Sequence, residues 1–248
     1  MTDATYEARV ISFPGSRGLT AVRRTAASAA SQQLSSIGAG AVDDWGRDPA
    51  LVRATARLGR LRWNTLVGGQ HHLPSQAGAL IVVNNRRFAL SAAFAAVALS
   101  ESTGRPVRFV GRSDVAPLGA LARRLGGLLE RPDEVAGALR AGELVVMASA
   151  PELHPRRVGR VDHRLIGAAV ATRTSVFPAA LASSPWARSA RIEIASSARP
   201  GRKRRGPLIE LELADQVERR IGRLLAELGG AQTGTLLDWL PLSGMGAS

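Results

Sequence analysis

Four histidines, His71, His72, His154 and His163, are the side chains here whose ordinary pKa lies near neutrality. Each has the chemistry to move a proton or hold a metal. His71 and His72 are adjacent, and neighbours on an extended turn point to opposite sides, so they read as surface turn residues rather than a shared ligand pair. Asp162-His163 has the composition of an orienting pair. On a helix, however, adjacent side chains diverge by ~100°, so Asp162 reads as the N-cap of the helix that follows. His154 comes three residues after a Ser149-Ala150-Pro151 turn. It is the strongest histidine candidate for a general base. Ser149, Ser183 and Ser184 read as residues of small turns, and none sits in a G-x-S-x-G elbow, so hydrolase chemistry has no positive signal. Cysteine is absent, which excludes thiol nucleophiles, thiolate metal sites and disulfides and is compatible with a reducing compartment.

The other chemistry is cationic. The chain carries 33 Lys and Arg against 20 Asp and Glu, a net charge of +13. The first 44 residues hold four of each sign, whereas 151–206 holds twelve basic residues against Glu152, Asp162 and Glu193. Such a surface attracts phosphate, whether on lipid, nucleic acid or a small molecule. Arg86, Arg87 and Arg112 follow apolar runs and are candidate phosphate contacts, because guanidinium groups grip phosphate bidentately. Solvated turn residues are the equal alternative for Arg86 and Arg87. In the run Arg199 to Arg205, the residues Arg202, Lys203, Arg204 and Arg205 are candidates for an anionic membrane surface. The run has no aromatic residue for base stacking and no nucleic-acid module pattern surrounds it, which argues against nucleic acid.

Elements must position these groups. Hydrophobic residues make up 45% of the chain and aromatics only 4%, so the core is built from Ala, Val, Leu and Ile. Residues 1–44 read as a flexible Ala/Ser/Gly-rich leader, 45–228 as one α/β domain and 229–248 as a tail. Asp48-Pro49 starts an amphipathic helix carrying Leu51, Ala54, Leu58 and Leu61. Trp63–Val67, Ala79–Val83, Val107–Val110, Glu143–Met147 and Ser175–Leu181 read as strands. Leu90–Leu99, Pro132–Arg140 and Asp162–Thr172 read as helices between them, and Leu118–Leu129 as a helix or a helix plus a turn. Ala190–Ala195 reads as a strand near an edge. Leu208–Leu213 alternates like a strand, and Ala214–Leu228 closes the domain as a helix. Strands alternating with helices imply a mostly parallel sheet flanked by helices. Ligands bind beyond the C-terminal ends of such strands, which brings Asn84–Arg87, Gly111–Asp114 and Ala148–His154 to one rim. The apolar run Ala92–Leu99 is far shorter than the ~20 residues of a membrane span. The expectation is a cytoplasmic protein, peripheral at most at the inner membrane face.

Those rim segments resemble the lysophospholipid/glycerolipid acyltransferase family. Gly69-Gln70-His71-His72-Leu73-Pro74 is similar to its "G-x-E-N-L-P" turn. Ala79–Ser91, ALIVVNNRRFALS, is similar to a buried strand followed by "N-H-x-S-x-x-D". Phe109–Val115, with Pro117-Leu118-Gly119 and Arg124–Gly127, resembles the "V-A-K-x-E-L" block. Leu139–Val146 looks like the strand leading to "F-P-E-G-T-R-S", and Val176–Ala180 resembles "V-P-V-V-P-V". The match runs in consistent order over roughly 45–228.

The resemblance implies acyl transfer from an acyl thioester to a lipid hydroxyl, with a histidine base oriented by an aspartate. It assigns the histidine to Asn85 and the aspartate to Leu90, and the acidic third motif to the region of Ser149-Ala150. An amide cannot act as the base, and leucine cannot orient one. Arg112 stands for the lysine of the second motif. Three readings follow. The first is an acyltransferase-fold protein that binds lipid, acyl carrier or a protein partner through the cleft without the family reaction. The second is a working acyltransferase with acyl-CoA or acyl carrier protein as donor and a relocated base. The third is a basic nucleic-acid-binding or scaffold protein. No metal or resident cofactor is expected.

Overall fold

The computed structural model describes residues 42–85, 90–115, 117–152, 157–184, 189–199 and 207–228. The leader, apart from Val42, Asp43 and Asp44, and the tail therefore lie outside the described residues. So do Arg86, Arg87, His154, Arg202, Lys203, Arg204 and Arg205.

Helix α1 (Pro49–Arg62) begins as the sequence implies, with Asp48 accepting hydrogen bonds from the Ala50 and Leu51 N–H groups. Strand β1 (Asn64–Gly68) leads to a 3₁₀ turn (Gln70–His72). Then come β2 (Ala79–Asn85), α2 (Ser91–Thr103), β3 (Val107–Val110), α3 (Leu118–Arg124), β4 (Gly127–Leu128) and α4 (Pro132–Arg140). The chain continues through β5 (Leu144–Pro151), α5 (His163–Ala171), β6 (Ser175–Ser184), β7 (Ser189–Ile194) and α6 (Pro207–Glu227). The seven strands form one sheet in the order β1-β7-β6-β2-β5-β3-β4. Among these described strands β6 and β7 pair antiparallel and the other neighbours pair parallel. The mixed α/β class, a mostly parallel sheet flanked by helices, matches the expectation.

Strand β2 is buried along its whole length, and its two faces feed two cores. Leu80 and Val82 join Val135, Leu139, Leu165, Ile166, Val217 and Ile221 from α4, α5 and α6. Ala79, Ile81 and Val83 join Ala92, Ala95 and Leu99 of α2, with Phe109, Phe177 and Ile192. A continuous apolar run is what a strand covered on both sides requires.

Several local expectations change. Leu208–Leu213 belongs to α6 rather than to a strand. Burial at Leu213, Ala214, Val217, Ile221 and Leu225 follows helical spacing, while Leu208 and Leu211 are exposed, so the short alternation reflects one helix edge. The Leu118–Leu129 segment divides into α3 and the two-residue β4. Strand β7, by contrast, lies near an edge as expected, one place inside the edge strand β1. Ser149, Ser183 and Ser184 lie within strands, not turns.

A buried ionic cluster ties residues 43–48 to the end of the sheet opposite the rim. Arg108, 1% exposed, donates through Nη2 to Asp43 at 2.7 Å and approaches Glu143 at 3.4 Å. Its guanidinium lies 5.8 Å from the Trp45 ring centre. Arg47 donates to the Ser100 hydroxyl at 2.8 Å. Asp48 is fully buried and pairs with Arg124 at 2.7 Å. Its own N–H bonds the Arg124 carbonyl at 2.7 Å, which fixes α1 to α3.

Candidate functional site

The rim is built where the β2 ladder ends. Between Val83 and Asn85 the register with β5 shifts, with Val83 opposite Ala148 but Asn85 opposite Pro151. The additional residue lies on β5, a bulge of the kind that re-aims side chains at sheet ends. Side chains replace the ladder bonds there. The Ser149 hydroxyl accepts the Asn85 N–H at 3.1 Å and donates to the Ala150 carbonyl at 3.2 Å. On the other side, the Asn84 amide accepts the Leu181 N–H at 2.7 Å and donates to the Leu181 carbonyl at 3.1 Å. Asn84 therefore acts as a short piece of strand bridging β2 to β6. Neither asparagine sits in a turn or in left-handed backbone. Both lie in β2, and Arg173 is the non-glycine residue with positive φ among the described residues.

Asn85 lines a cavity of about 520 Å³ at the C-terminal end of the sheet. Gly111, Ser149, Pro151, Arg160, Asp162 and His163 share it. Three of the segments expected at the rim thus converge. Asn85 is buried, and its Oδ1 has no hydrogen-bond partner among the described residues. The opposite wall is the segment before α5. Its Arg160 carbonyl accepts the Ala150 N–H at 2.7 Å, and a Cβ on Gly159 would sit 1.9 Å from the Ala150 carbonyl oxygen. Asp162 caps α5 through the Arg164 N–H at 2.8 Å and does not hold His163. His163 is exposed at the cavity, and its imidazole makes no hydrogen bond or ion pair among the described residues.

The other sequence candidates fall elsewhere. Arg112 approaches Glu134 at 3.8 Å with its side chain 17% exposed, so its charge is directed at α4. His71 and His72 occupy the 3₁₀ turn with ring centres 4.1 Å apart. They lie together rather than on opposite sides, because the turn is helical and not extended. Among the described residues no three His, Cys, Asp or Glu side chains cluster as metal ligands.

Leu90 faces a second cavity, about 530 Å³, walled by α1, α2 and the sheet. Trp63, Phe94, Val97, Phe109 and Leu125 give it an apolar lining, and Arg60 and Glu101 pair beside it. Leu90 stands at the N-cap position of α2 with no side-chain cap bond. Asn85 and Leu90, assigned to one catalytic pair by the resemblance, thus line different cavities. The apolar cavity had no signature in the sequence, because its walls come from four separate elements.

No family model matches the chain, and neither does any curated protein sequence. The fold itself is that of a known class, the α/β fold of glycerophospholipid acyltransferases. Among solved structures the chain is similar to the 1-acyl-sn-glycerophosphate (LPA) acyltransferase PlsC from Thermotoga maritima, with a TM-score of 0.53. The two are 14% identical, and the likeness covers 75% of this chain and 82% of that one. At that identity the likeness is one of fold. No described helix is long and apolar enough to cross a membrane.

Proposed function

We propose that this chain is an acyltransferase-fold protein that binds an acyl chain and its polar head without the base-catalysed transfer. The observation that carries the reading is Leu90 in the wall of the apolar cavity. Where an orienting carboxylate would serve a base, a leucine extends hydrocarbon surface to the cavity mouth. A cavity of about 530 Å³ is in the range of small-molecule sites, which are mostly apolar with a few polar groups. Asn85 fits the same reading, since an amide donates and accepts but does not take a proton near neutrality. The ligand chemistry is a long acyl chain carried by a lipid, acyl-CoA or an acyl carrier.

Purified protein supplied with acyl-CoA and a lysophospholipid is expected to give no transfer product above background. It is expected to bind a fluorescent fatty acid, and Leu90→Asp is expected to weaken that binding about tenfold, the loss of ~1.4 kcal/mol of apolar contact. Unchanged binding by Leu90→Asp would overturn the assignment of the cavity.

One observation favours a second reading, an active acyltransferase acting on a glycerolipid or glycolipid hydroxyl. His163 lines the cavity of Asn85 and Ser149 with its imidazole unengaged among the described residues. It is a better-placed base on this geometry than any other described histidine. Transfer that is present in the wild type and lost in His163→Ala would establish this reading over the first.

A further inference from the structure

The sheet ends on β1, whose outer edge serves neither cavity. Among the described strands it is terminal, and it pairs with β7 on one side only. Proteins keep such edges from pairing with charges, proline, bulges or a cover. β1 reads Asn64-Thr65-Leu66-Val67-Gly68, with no charge, no proline and an unbroken register. Nor is it covered, since Leu66 is 61% exposed. Val67 packs on the core beneath α2, so Leu66 points to the other face of the sheet, beside Arg191 of β7. Leu58 and Leu61, at the end of α1 that leads into β1, are exposed as well. The opposite terminal strand, β4, has two residues, and its Leu128 carbonyl already accepts the Gly111 and Arg112 N–H groups.

We infer that two copies of this chain pair through antiparallel β1 strands about a two-fold axis at Leu66, so that one sheet runs through both. Such a contact must fit itself, and β1 does. The axis sets Leu66 against the second copy's Leu66, Thr65 against its Val67 and Asn64 against its Gly68. The first is an apolar pair and the second a pair of β-branched side chains, both favourable between facing strands. At Gly68 the Glu193 carboxylate lies against the bare backbone, where it can accept from the second copy's Asn64 amide. Charge favours a copy over an ionic partner. Arg191 pairs with Glu193 at 3.1 Å and Arg60 with Glu101, so these charges beside the strand are already matched. An edge of ~17 Å buries less than the ~1,200–2,000 Å² of a standard interface, which makes the dimer a micromolar one. The net charge of +13 on each copy opposes it at long range, and salt screens that repulsion. The pairing does not depend on what the apolar cavity holds.

Sedimentation equilibrium of the full chain between about 5 and about 500 μM is expected to show monomer passing to dimer, with more dimer as salt rises from about 0.05 to about 0.3 M. Monomer throughout that range would overturn the inference, as would a dimer that salt dissociates. Leu66→Lys sets like charges against each other across the axis and is expected to weaken association about tenfold. Its thermal midpoint is expected to stay at the wild-type value, because the side chain is exposed. Wild-type association by Leu66→Lys would place the contact on another surface and overturn the pairing. Cross-linking reads the register. The chain has no cysteine, and facing residues of an antiparallel pair lie within the ~4.4–6.8 Å Cα separation that a disulfide spans. Leu66→Cys is therefore expected to link to its own copy on mild oxidation, well ahead of Leu118→Cys, a similarly exposed site on α3. Equal rates for the two would contradict an axis at Leu66.

Discussion

Asn84, Asn85 and Ser149 form a hydrogen-bonded seam that substitutes for a missing stretch of sheet. Removing one partner orphans buried backbone groups, each worth about 1–3 kcal/mol. Ser149→Ala, which leaves the Asn85 N–H unpaired, is therefore expected to lower stability by about 1–3 kcal/mol in urea unfolding. Asn84→Leu, which strands both the N–H and the carbonyl of Leu181, is expected to cost at least as much. A midpoint unchanged in both would assign the seam no structural work. Asp48 and Asp162 were readable as caps because a cap bonds backbone two or three residues away. The role of Asn84 was not readable, because Leu181 lies 97 residues along the chain. The same holds for Arg108, whose partners Asp43 and Glu143 come from distant segments.

At the level of elements, strand and helix order followed from apolar runs and punctuation, and the failures were short pieces. The alternation in Leu208–Leu213 is too brief to separate periods of 2 and 3.6, and tertiary burial of α6 decides it. The anchoring of α1 makes a pH prediction. Burial opposes ionisation of Asp48. The Leu51 N–H, the Arg124 side chain and the Ala50 N–H outweigh it and hold the carboxyl below its usual range. A depressed folded pKa contributes stability that is fully present above the unfolded value, ~3.9, and is lost as pH falls through the folded one. The stability difference between wild type and Asp48→Asn is therefore expected to be largest at neutral pH and to shrink below about pH 4. A difference that grows on acidification would contradict this account. Asp43, held down by the Arg47 N–H and Arg108 against its own burial, is expected to add to the same acid transition. Gly159→Ala, whose Cβ would collide with the Ala150 carbonyl, is expected to destabilise by about 1–3 kcal/mol and push the α5 segment off β5.

At the scale of the whole molecule, the sheet carries a cavity at its rim that holds Asn85, Asp162 and His163, and a second of similar size, lined mainly by apolar side chains, beneath α1. The order of strands and the segments that meet at the rim were legible because they follow apolar runs in sequence. The division of Asn85 and Leu90 between two cavities was not, because it depends on how α1 and α2 enclose space. The net charge of +13 includes the basic run Arg199 to Arg205, which offers no stacking aromatic and no nucleic-acid module pattern. Salt-sensitive binding to DNA of arbitrary sequence is accordingly not expected in a low-salt mobility assay. The central claim is that an acyl chain occupies the cavity beneath α1. Its most direct test is photolabelling with a diazirine-bearing fatty acid, with the modified residues mapped by mass spectrometry. Saturable labelling of Thr55–Thr65 and Leu90–Glu101, suppressed by excess unlabelled fatty acid, is expected. Labelling confined to the wall of the rim cavity, at Ser149–Pro151 and Arg160–Leu165, or labelling that does not saturate, would contradict it.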